Sequence, residues 1–134
     1  MSTGFIEMSA EECRERVADS GIGRVVWCAQ GQPKIVPVNY ALVDGEIMFR
    51  TAPYTDLGRQ IDGQSVVFEI DRVDYERLRG WSIVVRAEAT TVDDPDTVAR
   101  LRRVMPQPWA GGQRMLFVRL RPRAMTGRYV SNGS

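Results

Sequence analysis

The chain has 134 residues, a length that suits a single domain able to bury its own hydrophobic core. Its 18 lysines and arginines balance 17 acidic residues, so the overall charge gives no reason to expect nucleic acid or an anionic membrane as a partner. Histidine is absent, which excludes histidine-based triads, metal sites and general bases. Any enzymatic chemistry is therefore expected to come from a bound cofactor.

The sequence predicts a cytoplasmic protein. No apolar stretch approaches the roughly 20 residues that span a bilayer, and the N-terminus lacks the basic and apolar regions of a signal peptide. Cys13 and Cys28 do not form a Cys-x-x-Cys pair. We interpret both as buried, reduced thiols of structural importance only.

The N-terminal third predicts a helix followed by strands. Ser9-Ala10-Glu11-Glu12 is a capping box, apolar residues follow at helical spacing, and Gly21 ends the helix. We expect this helix to lie on the sheet and to cover one mouth of a barrel. Strands are expected at 24–29 and 35–42, and Pro37 indicates an edge or a bulge in the second of them.

Tight turns organise the middle of the chain. Asp44-Gly45 is a strong hairpin signal, and Thr55 is suited to cap a short helix. The charged segment 71–79 is too polar for a core and predicts a surface loop. The expected elements are, in order, a strand at 47–51, a loop at 52–54, one or two helical turns at 55–61, a strand at 65–70 and the loop at 71–79.

The C-terminal third predicts a long strand at 81–92 and a helix that opens with Asp94-Pro95. Two further strands are expected at 114–120 and 126–130, and the tail at 131–134 is expected to be disordered. The whole pattern predicts one mostly β domain over residues 1–134, an antiparallel barrel of roughly six strands with short flanking helices.

Three segments are candidates for ligand contact. Asn39 is unusual inside an apolar strand and needs a compensating contact, which could equally be a structural hydrogen bond. The run from Arg50 to Thr55 leaves a strand and enters a helical turn, an arrangement that suits a phosphate. Trp81 opens a long strand, where a large aromatic serves a core, an interface or a ligand. Asp93 and Asp94 are interpreted as helix-capping residues, and Arg100, Arg102 and Arg103 as a solvated helix face.

Seven segments, taken together and in order, resemble the pyridoxamine 5′-phosphate oxidase-like superfamily of FMN-binding split β-barrels. No single segment is specific to this superfamily, but the seven in this order are. The likeness is closest to the small actinobacterial members. The segments are Gly23-Arg24-Val25, Pro33 with Val36-Pro37-Val38-Asn39-Tyr40, Asp44-Gly45 with Ile47-Met48-Phe49-Arg50-Thr51, Val67-Phe68-Glu69-Ile70-Asp71, Gly80-Trp81-Ser82-Ile83-Val84-Val85, Pro108-Trp109-Ala110-Gly111-Gly112 and Thr126-Gly127-Arg128.

The resemblance implies a homodimer with FMN in clefts between the subunits and a two-electron reaction on a small organic substrate. The flavin ring would lie against 36–40 and 50–52, the phosphate near 51–57, and residues 81–82 would approach the cofactor or the dimer interface. The implied cofactor-binding residues are Val36, Pro37, Val38, Asn39, Arg50, Thr51, Ala52, Thr55, Leu57, Arg59, Trp81 and Ser82.

The sequence departs from the family pattern at the phosphate, because Asp56 stands where relatives carry lysine. At an effective dielectric of about 20 and a separation of about 5 Å, each pair of unit charges is worth roughly 3 kcal/mol. Either Arg50, Arg59 or Arg24 compensates, or flavin binding is weak or lost.

Three functional hypotheses therefore remain open: an FMN-dependent oxidoreductase, a dimeric binding protein of the same fold without a cofactor, and a reductase that uses the deazaflavin F420. The usual Arg/His substrate clamp of the oxidase proper is missing, so vitamin B6 oxidation is not expected. No catalytic side chain is predicted.

Overall fold

The computed structural model describes residues 4–105 and 115–131, which form seven strands and three short helices. No helix in these two ranges is long and apolar enough to cross a membrane. The elements are β1 (Gly4–Met8), α1 (Ala10–Asp19), β2 (Ile22–Ala29), β3 (Gln32–Val43), β4 (Glu46–Thr51), α2 (Asp56–Gln60), β5 (Ser65–Asp74), β6 (Arg79–Val92), α3 (Pro95–Val104) and β7 (Leu116–Ser131).

The strands form an antiparallel ring in the order β7-β4-β3-β2-β5-β6, closed because β6 also pairs with β7. Strand β7 makes this closure possible by its length. Its first part, Leu116–Leu120, pairs with β4, its last part, Gly127–Ser131, pairs with β1, and β6 runs along its other edge. The prediction of a mostly β, antiparallel barrel is confirmed. The sequence did not predict β1, which lies outside the ring.

Side chains alternate between the barrel interior and the outer face, as the period of two requires. In β2, Gly23, Val25 and Trp27 face inward, which leaves Arg24 and Cys28 outside. The prediction that both cysteines are buried is therefore wrong for Cys28, which is exposed, although Cys13 is buried. The fully buried core includes Phe49, Phe68, Ile47, Ile70, Ile83, Val85 and Leu120.

Helix α1 packs against the barrel as expected. Ser9 caps it by accepting a hydrogen bond from the Glu12 backbone N–H at 3.1 Å. Cys13 and Val17 are buried in the barrel core. The Tyr40 hydroxyl donates a 2.6 Å hydrogen bond to the Val17 carbonyl, and burial raises the pKa of Tyr40 to about 12.

The predicted turns and caps are also found. Asp44 and Gly45 have φ of 52° and 79°, the two positive values of a type I′ hairpin turn. Thr55 caps α2 and Asp94 caps α3 through their side chains. These features depend on neighbouring residues, which is why the sequence alone predicted them.

Two predictions about strand extent are wrong. The expected loop at 71–79 is mostly strand, because β5 runs to Asp74 and β6 starts at Arg79, so the hairpin continues beyond the barrel with its charged side chains in solvent. The strands expected at 114–120 and 126–130 are one strand, β7, which also contains Ser131. Pro122 is accommodated next to the irregularity at Arg86/Ala87. Residue 114 and the tail at 132–134 lie outside the described residues.

Gly23 allows β2 to approach the core ring of Phe68. A Cβ on Gly23 would lie 2.2 Å from Phe68 Cζ, and Phe68 is fully buried. We predict that Gly23→Ala lowers the free energy of unfolding by about 1–3 kcal/mol through overpacking. Urea denaturation measures this change in the free energy of unfolding.

Gly21→Ala is the matched control, because a Cβ there meets no atom within 4 Å. Equal unfolding midpoints for the two variants would contradict the packing argument.

Candidate functional site

A groove opens where β3 has only one neighbouring strand. Tyr40–Val43 pairs with β4, whereas Gln32–Asn39 pairs with β2 alone. Within residues 4–105 and 115–131, no strand covers the other edge of Gln32–Asn39. Pro37, which has no N–H, is accommodated on such an edge, so the edge interpretation of Pro37 is correct. The groove along this edge has a volume of about 1110 Å³.

The groove brings most of the predicted cofactor residues together. The end of β4 and the start of α2 line it along with β3. Ala52, Arg59, Trp81 and Ser82 do not line it. The predicted residues that do are Val36, Pro37, Val38, Asn39, Arg50, Thr51, Thr55 and Leu57.

Two threonine hydroxyls meet in the groove. Thr51 Oγ1 and Thr55 Oγ1 lie 3.2 Å apart, and Thr55 donates to the Ala52 carbonyl at 2.8 Å while accepting from the Gly58 N–H. Since the Thr55 proton is committed to Ala52, Thr51 is the donor between the two hydroxyls. Thr51 can turn this proton toward an anion in the groove.

Gly58 fixes this threonine pair by bringing α2 close to the preceding loop. A Cβ on Gly58 would lie 2.3 Å from the Ala52 carbonyl oxygen. The other end of α2 is held by a 2.8 Å hydrogen bond from Trp27 Nε1 to Gln60. The position of the threonines is therefore set by a close backbone approach at one end of α2 and by a side-chain hydrogen bond at the other.

Arg50 is a half-buried cation without a carboxylate partner among the described residues. Its guanidinium lies 4.9 Å from the centre of the Phe117 ring, and one terminal nitrogen is 3.5 Å from the Met105 carbonyl. Its Nε is buried and makes no hydrogen bond. Burial, and secondarily the charge of Arg102, lowers the pKa of Arg50. Because Arg50 also lines the groove, an anion bound there could supply the negative partner that this cation lacks among the described residues.

Asp56, which lines the groove, has a cationic partner. Lys34 Nζ forms a 2.9 Å ion pair with Asp56, and this contact lowers the pKa of the Asp56 carboxyl. Sequence reasoning missed Lys34, although its two-residue spacing from Val36 placed it on the same side of β3. Arg24, one of the predicted compensating residues, is engaged elsewhere, and Arg59 lies outside the groove lining.

Arg24 joins two carboxylates toward another part of the groove. Its Nη1 lies 2.9 Å from Glu69 and 3.2 Å from Asp71, and Asp71 lines the groove together with Arg72. Burial, together with the neighbouring Asp71 carboxyl, raises the pKa of Glu69 to about 7 despite the opposing effect of Arg24.

Trp81 packs away from the groove lining of its own chain. The Arg16 guanidinium lies 4.9 Å from the Trp81 ring centre and donates to the Tyr129 hydroxyl at 3.1 Å. Tyr129 in turn donates to Glu12, which lowers the pKa of Glu12. Ser82, the next residue in β6, pairs with Asp71 and Arg128 in the sheet.

The fold agrees with the comparisons with known proteins. The chain matches the pyridoxamine 5′-phosphate oxidase family over residues 9–129 and belongs to that family. It is 34% identical to the uncharacterized protein Rv0080 of Mycobacterium tuberculosis, over 91% of this chain and 83% of that protein.

Two solved structures are similar over nearly their whole lengths. The FAD-binding protein of Mycobacterium smegmatis has a TM-score of 0.84 and 32% identity, covering 96% of this chain and 100% of that one. A Corynebacterium glutamicum protein also has a TM-score of 0.84, with 31% identity, and the match covers 100% of this chain and 98% of that one.

The raised pKa of Glu69 predicts that the stability of the protein depends on pH. Between its ordinary pKa of 4.5 and about 7, the folded chain retains a proton that the unfolded chain loses, so the free energy of unfolding falls as pH rises through this window. Since the chain has no histidine, no imidazole obscures the effect. We predict that Glu69→Gln flattens the decline, measured by urea unfolding at pH 5, 6, 7 and 8.

Glu76→Gln, at the exposed turn of the same hairpin, is the control and should keep the wild-type slope. A decline unchanged in Glu69→Gln would show that another group is responsible.

Proposed function

We propose that the protein binds a flavin nucleotide in the groove, with FMN as the first candidate, and transfers two electrons to or from a small organic substrate. The observation that carries this proposal is Arg50, whose half-buried guanidinium lacks a carboxylate partner among the described residues and lines the groove, as the Thr51 donor does. A phosphate carries the negative charge and the acceptor oxygens that these two side chains can bind. The FAD-binding relative adds FAD as the competing nucleotide.

The residues present fit such a ligand. From Lys34 to Tyr40, β3 runs along the groove for about 20 Å at roughly 3.3 Å per residue. Val36 and Val38 offer apolar surface for a flat ring, and the open strand edge offers backbone groups for its polar rim. The volume of about 1110 Å³ lies slightly above the range of about 300–1,000 Å³ that is typical of ligand and cofactor sites.

A bound flavin supplies the two-electron chemistry, and the chain supplies binding and orientation. Arg50 and Thr51 would hold the phosphate, while the edge of β3 would orient the ring. Trp27 and Met105 line the groove and would shield the bound ligand from water. No side chain is assigned a proton-transfer role.

The direct test is the colour and ligand affinity of the purified protein. Absorbance in the flavin region, or fluorescence titration of apo-protein with FMN and FAD, should show saturable binding. F420 forms the third titration, because a deazaflavin reductase is the alternative enzyme. Failure to bind any of the three would overturn the proposal in favour of a cofactor-free binding protein.

Arg50→Ala should weaken FMN binding by about 1.5–3 kcal/mol, the range for a hydrogen bond to a charged group. Riboflavin is the internal control because it lacks the phosphate, so its affinity should change little. The measurement is fluorescence titration of both ligands. Equal losses for FMN and riboflavin would indicate that Arg50 supports the groove without contacting the phosphate.

We also propose that the protein is a homodimer whose interface uses the outer face of β2 and β3. Ile22 and Ile35 are 49% and 60% exposed there, and Pro37 lies on the same face. Exposed apolar residues gathered on one face are typical of protein interfaces.

Light scattering should therefore give about twice the chain mass of 15.1 kDa. Ile35→Glu should shift the protein toward monomer because it places a charge in the interface. Val104→Glu, an exposed position on α3, is the matched control and should remain dimeric. A wild-type monomer at micromolar concentration would contradict the dimer proposal.

A further inference from the structure

Lys34 occupies a position from which its ammonium reaches the first residue of α2. It lies opposite Trp27 in the sheet, at the start of the open edge of β3, and it lines the groove. Its partner, Asp56, directly follows Thr55 in the chain. The Lys34–Asp56 contact of 2.9 Å therefore places a positive charge next to the residue that completes the threonine pair.

The Lys34–Asp56 ion pair is easily replaced. The Asp56 side chain is 60% exposed and that of Lys34 is 29% exposed. Exposed ion pairs contribute little to stability, because water screens them and both side chains lose freedom in forming them. A phosphate ester carries close to two negative charges at neutral pH, against one on a carboxylate. Such a ligand competes well with Asp56 for the Lys34 ammonium.

The groove needs this second cation. Helix α2 has only five residues, and its Gly58 N–H is already bound to Thr55, which leaves fewer backbone amides for a phosphate. Arg50 is stacked on Phe117 and provides a single positive charge. Balancing a phosphate dianion therefore requires one more cation near the threonine pair.

We propose that Lys34 is a phosphate-contacting residue of the groove and that Asp56 is its counter-ion, displaced when the phosphate binds. This inference rests on the proposed flavin binding and deepens it. Asp56 then lowers phosphate affinity by competition for Lys34, so the groove discriminates between ligands by their charge. Removing the Asp56 charge should strengthen phosphate binding, and removing the Lys34 charge should weaken it.

The test compares FMN with riboflavin in fluorescence titrations of three variants and wild type. Lys34→Met keeps the length of the side chain without its charge and should weaken FMN binding roughly tenfold while leaving riboflavin unchanged. Asp56→Asn should strengthen FMN binding severalfold. The exchange Lys34→Asp with Asp56→Lys keeps both charges and should bind FMN more tightly than Lys34→Met does.

Each outcome decides the matter. Unchanged FMN affinity in Lys34→Met, or an equal loss for riboflavin, overturns the role of Lys34. If Lys34→Met fails to fold, Asp56→Asn still decides, because unchanged or weaker FMN binding by that exposed variant contradicts the competition. A wild-type protein that binds neither FMN nor riboflavin overturns flavin binding itself, and this inference with it.

Discussion

The end of β3–β4 pairing at Tyr40 is the constraint on which the groove depends. Before that residue, β3 keeps one neighbour, β2, and its other edge borders the groove. The ring still closes because β7 pairs with β4 along one edge and with β6 along the other, while β1 pairs with the last part of β7 outside the ring. A fully paired β3 would leave no open edge, so closure elsewhere in the barrel is what permits a binding surface here.

The electrostatics of the groove follow from how its charges are partnered. Asp56 is held by Lys34 and Asp71 by Arg24, so both carboxylates have cationic partners. Arg50 has no carboxylate partner in the part of the chain that the structure describes. The chain is nearly neutral as a whole, yet its groove is lined both by this partly desolvated cation and by the two threonine hydroxyls. Such a charge attracts an anion much more effectively than an exposed arginine does.

The sequence predicted features that depend on neighbouring residues and missed those that depend on distant ones. The Asp44-Gly45 turn and the Thr55 cap follow from local backbone preferences, and the structure has both. Whether Cys28 is buried depends on which residues of β2 point into the barrel. The residue type alone does not indicate this, and Cys28 lies on the outer face. The Lys34–Asp56 pair joins residues 22 positions apart and follows only from the placement of α2 beside β3. The family resemblance covered the groove residues but not the charge that partners Asp56.

The same partners determine how the groove responds to pH. With Lys34 beside it, Asp56 has a lowered pKa and stays ionised across the neutral range, so the competition for Lys34 does not vary there. The phosphate of a nucleotide has its second pKa near 6, so the ligand gains its second charge as pH rises through that value. Glu69, with its pKa near 7, changes charge on the strand that carries the groove residue Asp71. A pH-dependent change of phosphate affinity that persists in Glu69→Gln would therefore come from the ligand, and one that disappears in that variant would come from Glu69 acting through Asp71 and Arg24.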